Sequence, residues 1–211
     1  MPLDRTRDDY NGRAAEYIDA LGAIESTAEP DRALIESWAD RVRGRILDVG
    51  CGPGHWTAWL HAQGRTVEGI DPVPAFIGHA RAQYPGVPFR VGRAEHLDVE
   101  DACIGGVLAW YSLIHADPGD IPTVLDEFAR VLSPDGSLVL GFFTGPRVAA
   151  FDHAVTTAYT WPIEVLAQLV EDAGFVVTER HTRTDPDARP HGALVARREP
   201  AQEANPPACL V

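Results

Sequence analysis

The sequence predicts an α/β domain in which a mostly parallel sheet is covered by helices on both faces. Three observations predict it. Strand-like and helix-like hydrophobic patterns alternate between residues 45 and 143, as they do where parallel strands are joined by helical crossovers. The apolar run Ile46-Leu-Asp-Val49 breaks into Gly50-Cys-Gly-Pro-Gly54, and a helical pattern follows at once. Finally, Ile121, Val124, Leu125, Phe128, Val131 and Leu132 recur at the spacing of one buried helical face.

The elements follow in order. Residues 1–43 read as helical, with Asp31 as an N-cap and Leu34, Ile35, Trp38 and Val42 on one face. A strand over 45–49 leads to a helix over 55–63. Gly64 stops that helix, and a strand over 66–70 ends at Asp71. A helix over 74–83 and a short strand over 89–92 come next, then a strand over 106–110 and the striped helix over 121–132. Ser133-Pro-Asp-Gly136 is a turn into a strand over 137–143. Beyond Gly145 the pattern changes. Trp161-Pro162 opens a helix that runs to Ala173, Gly174 stops it, and strands over 175–180 and 193–197 close the domain.

Composition narrows the function. A chain of 211 residues suits one domain with a full core. It is 45% hydrophobic, yet no apolar run approaches the ~20 residues of a membrane span. The charged start lacks the apolar segment of a signal peptide. Cys51, Cys103 and Cys209 are widely spaced with no C-x-x-C pair, which fits free thiols in a reducing cytoplasm. The net charge is −13 and lysine is absent. Nucleic-acid binding draws its affinity from cationic side chains on phosphates, so a nucleic-acid substrate is disfavoured. A small-molecule partner is expected, with the chain acting alone or as a homodimer.

Gly50, Gly52 and Gly54 have no Cβ to hold a ligand away from the backbone. A dinucleotide fingerprint needs its third glycine three places after the second, but His55 stands there. Asp48, Gly50, Gly52 and Gly54 instead follow D-x-G-x-G-x-G, which resembles the first motif of the class I S-adenosylmethionine-dependent methyltransferases. Asp71, at the tip of the second strand, strengthens the likeness. A carboxylate there can accept from both ribose hydroxyls, and Asp71-Pro72 also suits a helix start, so the two readings are compatible.

The resemblance covers roughly residues 10–198. It implies a Rossmann-like class I methyltransferase fold, with a seven-stranded sheet in which one strand is antiparallel. It divides the chain into an N-terminal helical lid (1–43), a cofactor domain (44–198) and a disordered tail (199–211). It also implies S-adenosyl-L-methionine as cofactor, held by Asp48, Gly50, Cys51, Gly52, Gly54, Asp71 and Pro72. Ala94 and Glu95 would meet the adenine, and the fourth-strand tip Trp110-Tyr111-Ser112 would face the sulfonium and ribose. Arg93 stands where the family often has an acid, and it cannot accept a hydrogen bond. Tyr10 and Tyr17 match the family's Y-x-x-x-A-x-x-Y lid pattern; a hydroxyl there can bind the cofactor carboxylate, or Tyr17 packs with Ile18 and Leu21.

Methyl transfer from a sulfonium needs mainly positioning, and a hydroxyl acceptor also needs a base, commonly histidine. Tyr111-Ser-Leu-Ile-His115 and Glu127-Phe-Ala-Arg-Val-Leu-Ser-Pro-Asp-Gly136 resemble a bacterial small-molecule branch, with Asp135 replacing the first glycine of its P-G-G. His115 is then either a general base or a structural group beside the cofactor. His153 is a second catalytic candidate, and Tyr111, His115, Arg147 and His153 are the acceptor-binding candidates. Arg183 and His191 can engage a polar acceptor. No residue cluster indicates a metal. The expected activity is methylation of a hydroxyl on a sugar or secondary metabolite. An N-methyltransferase, a non-catalytic adenosyl-binding regulatory subunit and a nicotinamide oxidoreductase are the alternatives, and the glycine spacing disfavours the last.

Overall fold

The computed structural model describes residue 18 and residues 23–153, 156–186 and 188–199. After a 3-10 turn at Ile24–Ser26, the helices are α1 (Glu29–Arg41), α2 (His55–Ala62), α3 (Pro74–Gln83), α4 (Ile121–Val131) and α5 (Ile163–Asp172). The strands are β1 (Ile46–Val49), β2 (Val67–Asp71), β3 (Phe89–Val91), β4 (Ile104–Trp110), β5 (Leu132–Thr144), β6 (Ala149–Asp152), β7 (Thr157–Trp161), β8 (Phe175–Arg183) and β9 (His191–Arg198).

The sheet runs β3-β2-β1-β4-β5 with parallel pairing throughout. β9 then pairs antiparallel with β5, and β8 antiparallel with β9. These seven strands, with β9 alone reversed, are the expected sheet. Their side chains alternate between two cores, as the two-residue period of a strand requires. Ile46, Leu108, Val139 and Val195 face Ile35 and Trp38 of α1 and Trp56 and Leu60 of α2. Leu47, Val107, Leu138 and Leu194 face Val124 and Phe128 of α4 and Leu166 and Val170 of α5. The striped helix packs as its sequence predicts.

Three expectations are corrected. Ala28, not Asp31, caps α1; the Asp31 carboxylate is taken by Arg183. Ser133–Gly136 does not end the element but bulges within β5, because Leu132 already pairs with Ile104 before Ser137 pairs with Gly106. Asp135 sits there at φ +63°, a left-handed position that Asp tolerates better than most residues. Cys51 is a buried free thiol but Cys103 is disulfide-bonded, since cysteine spacing does not show what the fold brings together.

The hairpin β6–β7 is an addition to the seven strands. β4 pairs along β5 only as far as Trp110↔Gly141, and β7 continues beyond it with Phe143↔Thr160 and Thr144↔Trp161. Phe143 also pairs with His191 of β9 on its other side. The hairpin therefore extends the β4 flank of β5 past the carboxyl end of β4, where open α/β sheets carry their ligands. It is tied down by the Tyr159 N–H, which donates to the Ile114 carbonyl at 2.8 Å.

Among the described residues no helix is long and apolar enough to cross a membrane. Phe128 is fully buried between sheet and helices, so Phe128→Ala should cost about 3–5 kcal/mol of stability. Urea unfolding checks it through a lower midpoint with an unchanged slope.

Candidate active site

The site begins where β1 and β2 end. Past Val49 the chain turns sharply, and the Gly50 and Cys51 amides both donate to the Ile70 carbonyl, at 2.7 and 3.0 Å. Gly50 holds φ +77°, and a Cβ there would lie 2.1 Å from Cβ of Ser112. Gly54 holds φ +92°, and its Cβ would strike Phe89 at 2.7 Å and Ala80 at 2.9 Å. Any other residue would push β1's turn away from the loop after β4 or α2 away from α3.

The bend is locked onto Asp71. The Gly52 amide donates to Oδ2 at 2.9 Å and the Val73 amide to Oδ1 at 2.8 Å. A carboxylate offers about four lone-pair sites, so each oxygen retains capacity for another donor. Asp48 accepts from the Thr57 hydroxyl at 2.6 Å. Burial pushes Asp48 up to about 7, against the Thr57 hydrogen bond and with help from the charge of Asp71. Burial likewise pushes Asp71 up to about 6, against its two amide bonds.

Two clefts open from this point. The first is lined by Gly50, Gly52, Asp71 and Pro72 on one side, and by Ala94 and Glu95 after β3. Glu95 is paired with Arg93 at 2.5 Å. The loop beyond it is clamped by α4: Glu127 accepts from the Leu97 amide at 2.6 Å, while Arg130 donates to the carbonyls of Leu97 at 3.0 Å and Val99 at 2.8 Å. This is the work of the acid and the arginine in the Glu127-Phe-Ala-Arg130 segment. Ser112 Oγ, on the opposite wall, is buried with no hydrogen-bond partner among the described residues.

The second cleft lies across Tyr111, which borders both. Asp48, Cys51, Trp110 and His153 line it, together with Arg183 and His191. Tyr111 sits at φ +55° and its hydroxyl is hydrogen-bonded to His191 Nδ1. Arg183 bridges Asp31 of α1 and Asp185.

His115 faces the first cleft and His153 the second, with ring centroids 5.3 Å apart. His115 Nδ1 lies 2.7 Å from the Thr157 carbonyl, so this nitrogen carries the proton and Nε2 is the accepting one. Burial lowers its pKa to about 4, the bond to Thr157 opposing and His153 adding to the fall. His153 is also lowered, by burial and then by Arg189, and its buried Nδ1 has no partner among the described residues.

The structure thus gathers Asp48, Gly50, Cys51, Gly52, Asp71, Pro72, Ala94, Glu95, Trp110, Tyr111, His115 and His153 around two adjoining clefts. Gly54 stands behind the bend as a packing residue. Arg147 is exposed and lines neither cleft; Arg183 supplies the cation instead. Tyr10 and Tyr17 lie outside the described residues. Sequence reasoning gave Asp31 and Asp185 no place at the site; they enter it through Arg183, which is 152 residues from Asp31. The first cleft fits an adenosyl sulfonium: bare backbone at Gly50, an orphaned Ser112 hydroxyl, acceptor capacity on Asp71 for hydroxyl donors, and two buried acids whose ionisation a cation would favour.

Comparison with known proteins agrees. A family described as "Methyltransferase domain" matches residues 46–136. An uncharacterized methyltransferase of Synechocystis sp. is 28% identical over 65% of this chain and 69% of its own length. A malonyl-[acyl-carrier protein] O-methyltransferase of Pectobacterium atrosepticum is 28% identical over 63% of this chain and 50% of its own; other curated relatives are spanned over only 38% of their length. The fold is shared with the 1,6-didemethyltoxoflavin-N1-methyltransferase of Burkholderia thailandensis, solved with its substrate and S-adenosylhomocysteine. That likeness has a TM-score of 0.78 at 23% identity and covers 94% of this chain and 91% of that one. The chain carries a class I S-adenosylmethionine-dependent methyltransferase domain, and S-adenosylmethionine is its cofactor.

Asp71 titrates at about 6 in the empty site, and ribose hydroxyls donate best to its ionised form. S-adenosylhomocysteine affinity, measured by calorimetry, should be constant above about pH 7, where Asp48 is ionised as well. It should fall by up to about tenfold per unit below it, until the complex also takes up the proton. Asp71→Asn should weaken binding about ten- to hundredfold, the worth of one or two charge-assisted hydrogen bonds, and flatten that dependence. Gly50→Ala should abolish binding through the clash with Ser112.

Proposed function

We propose that this protein transfers the methyl group of S-adenosylmethionine to a hydroxyl of an uncharged small molecule, of the sugar or secondary-metabolite kind, seated in the second cleft. The cofactor supplies an already activated methyl group; the chain's own task is to orient the acceptor and give its proton somewhere to go. One observation carries the reading: His115 and His153 meet at the junction of the two clefts with both rings held neutral at physiological pH. Neutral imidazoles can accept hydrogen bonds from a hydroxyl, whereas imidazolium groups cannot.

His153, with its unpartnered Nδ1, is the acceptor-binding histidine of this proposal. His115 takes the positioning role, because a base titrating near 4 is poorly matched to neutral pH and its Nδ1 proton secures the hairpin at Thr157. The arginine at the cleft does not argue for an anionic acceptor, since Asp31 and Asp185 already balance Arg183. Tyr10 and Tyr17 are proposed as cofactor-lid residues on the likeness of their spacing alone. A second reading, methylation of a ring or side-chain nitrogen, is favoured by the shared fold with an N1-methyltransferase.

The two readings part in their pH dependence. At saturating cofactor, turnover of a hydroxyl acceptor should be level above about pH 6.5, the ordinary histidine value that both rings fall below. An amine acceptor should instead gain about tenfold per unit until its own pKa is reached. Release of S-adenosylhomocysteine across a panel of phenols, sugars and amines distinguishes them. His153→Ala should raise KM for the acceptor about tenfold with a smaller change in kcat, as loss of a ground-state contact does.

A further inference from the structure

We propose that Tyr111 and His191 form a relay that takes the acceptor's proton as the methyl group arrives; this rests on the hydroxyl-methylation reading above. Among the described residues Tyr111 is the side chain that borders both clefts while being hydrogen-bonded to a base. A bulky residue held at φ +55° costs about 1–3 kcal/mol and persists only where its surroundings enforce it. Here the Tyr111 amide donates to the Gly141 carbonyl at 2.9 Å, and its ring packs on Phe143 and His191, with centroids at 5.0 and 5.7 Å. What the strain delivers is a phenol at the boundary between methyl donor and acceptor.

The proton positions follow from the neighbours. Burial, and then the charge of Asp31, raise the Tyr111 phenol above its ordinary range, so it stays protonated and donates to His191 Nδ1. His191 therefore carries its own proton on Nε2, which lies 4.0 Å from Asp185 Oδ2. Burial and Arg183 lower His191, while Asp31 and Asp185 oppose them, so the ring is neutral before reaction and an imidazolium formed there has acids beside it. The phenol oxygen, having given its hydrogen to His191, retains lone pairs to accept from an acceptor hydroxyl.

The step balances. The acceptor O–H bond breaks and its proton passes to the Tyr111 oxygen, while the phenol's own proton passes to His191 Nδ1. The acceptor oxygen's electron pair forms the new O–C bond, and the C–S pair leaves with sulfur. A neutral hydroxyl and a sulfonium become an ether, a thioether and an imidazolium, with one positive charge on each side. His115 cannot serve in the same way from Nδ1, whose proton is engaged by Thr157.

Two measurements on the full chain test this. In 15N-histidine NMR of the protein with S-adenosylhomocysteine, the resonance lost in His191→Asn should show the Nε2-protonated tautomer, and Tyr111→Phe should shift its Nδ1 signal. An Nδ1-protonated His191, or one indifferent to Tyr111→Phe, would overturn the relay. In His191→Asn an amide oxygen can still accept from Tyr111 but cannot bind a proton. Turnover should drop about a hundredfold, the low end of general-base catalysis, with S-adenosylhomocysteine affinity unchanged by calorimetry. Wild-type turnover in that variant would overturn the relay in favour of mere positioning. Turnover of amines alone, with the expected tautomer, would overturn the hydroxyl reading and leave the Tyr111–His191 pairing standing.

Discussion

Two carboxylates buried side by side at the ends of neighbouring strands are the constraint on which the rest of the molecule turns. Asp48 and Asp71 are 2% and 5% exposed, and burying an ionised carboxylate costs several kcal/mol unless partners repay it. The chain supplies only part of that repayment: one hydroxyl to Asp48 and two backbone amides to Asp71. Even this demands space. Gly69 pairs in register with Asp48, and a Cβ there would come within 2.8 Å of the Thr57 hydroxyl that reaches across. The bend at Gly50, the start of α2 and the position of the first cleft all follow from bringing these donors to these acids. Both acids would gain from a cationic ligand that carries hydroxyl donors.

The molecule divides its labour along the chain. Asp48, Gly50, Asp71 and the Ala94–Glu95 loop, with its α4 clamp, all lie within residues 46–136, the stretch shared with the family. The second cleft draws on Asp31 before that stretch and on Phe143, His153, Arg183, Asp185 and His191 after it. A sequence relative and a protein of the same fold differ, by name, in whether oxygen or nitrogen is methylated. Tyr111 is the seam between the two halves, contributed by the matched stretch but held by His191 from beyond it.

What was legible in the sequence was what neighbours in the chain decide. The acid-glycine turn and Asp71 stood out because strand, bend and helix start are contiguous. The α4 stripe did too, because a helix writes its buried face every three or four residues. The clefts' second half was not legible for the opposite reason. Tyr111 and His191 are 80 positions apart, and Asp31 and Arg183 are 152 apart, so no local pattern announces either pair. Asp31 has the chemistry of a helix cap and was read as one, but its carboxylate serves Arg183. The β6–β7 hairpin was not legible because its first strand, Ala149-Ala-Phe-Asp152, is built mostly of residue types that strands disfavour. Thr157, Tyr159, Thr160 and Trp161 do carry the β-branched and aromatic bias of a strand.

That hairpin has a consequence for how such an enzyme changes over evolutionary time. Its inner strand β7 joins β5 through Phe143↔Thr160 and Thr144↔Trp161 and buries Ala158 and Trp161 in the main core, whereas its outer strand β6 is paired with β7, so β6 can change in length and composition at less cost to the scaffold than β7 can. The inner strand is held at Thr160 and Trp161, which pair with β5, and at Tyr159 and Thr157, where the backbone docks onto Ile114 and His115.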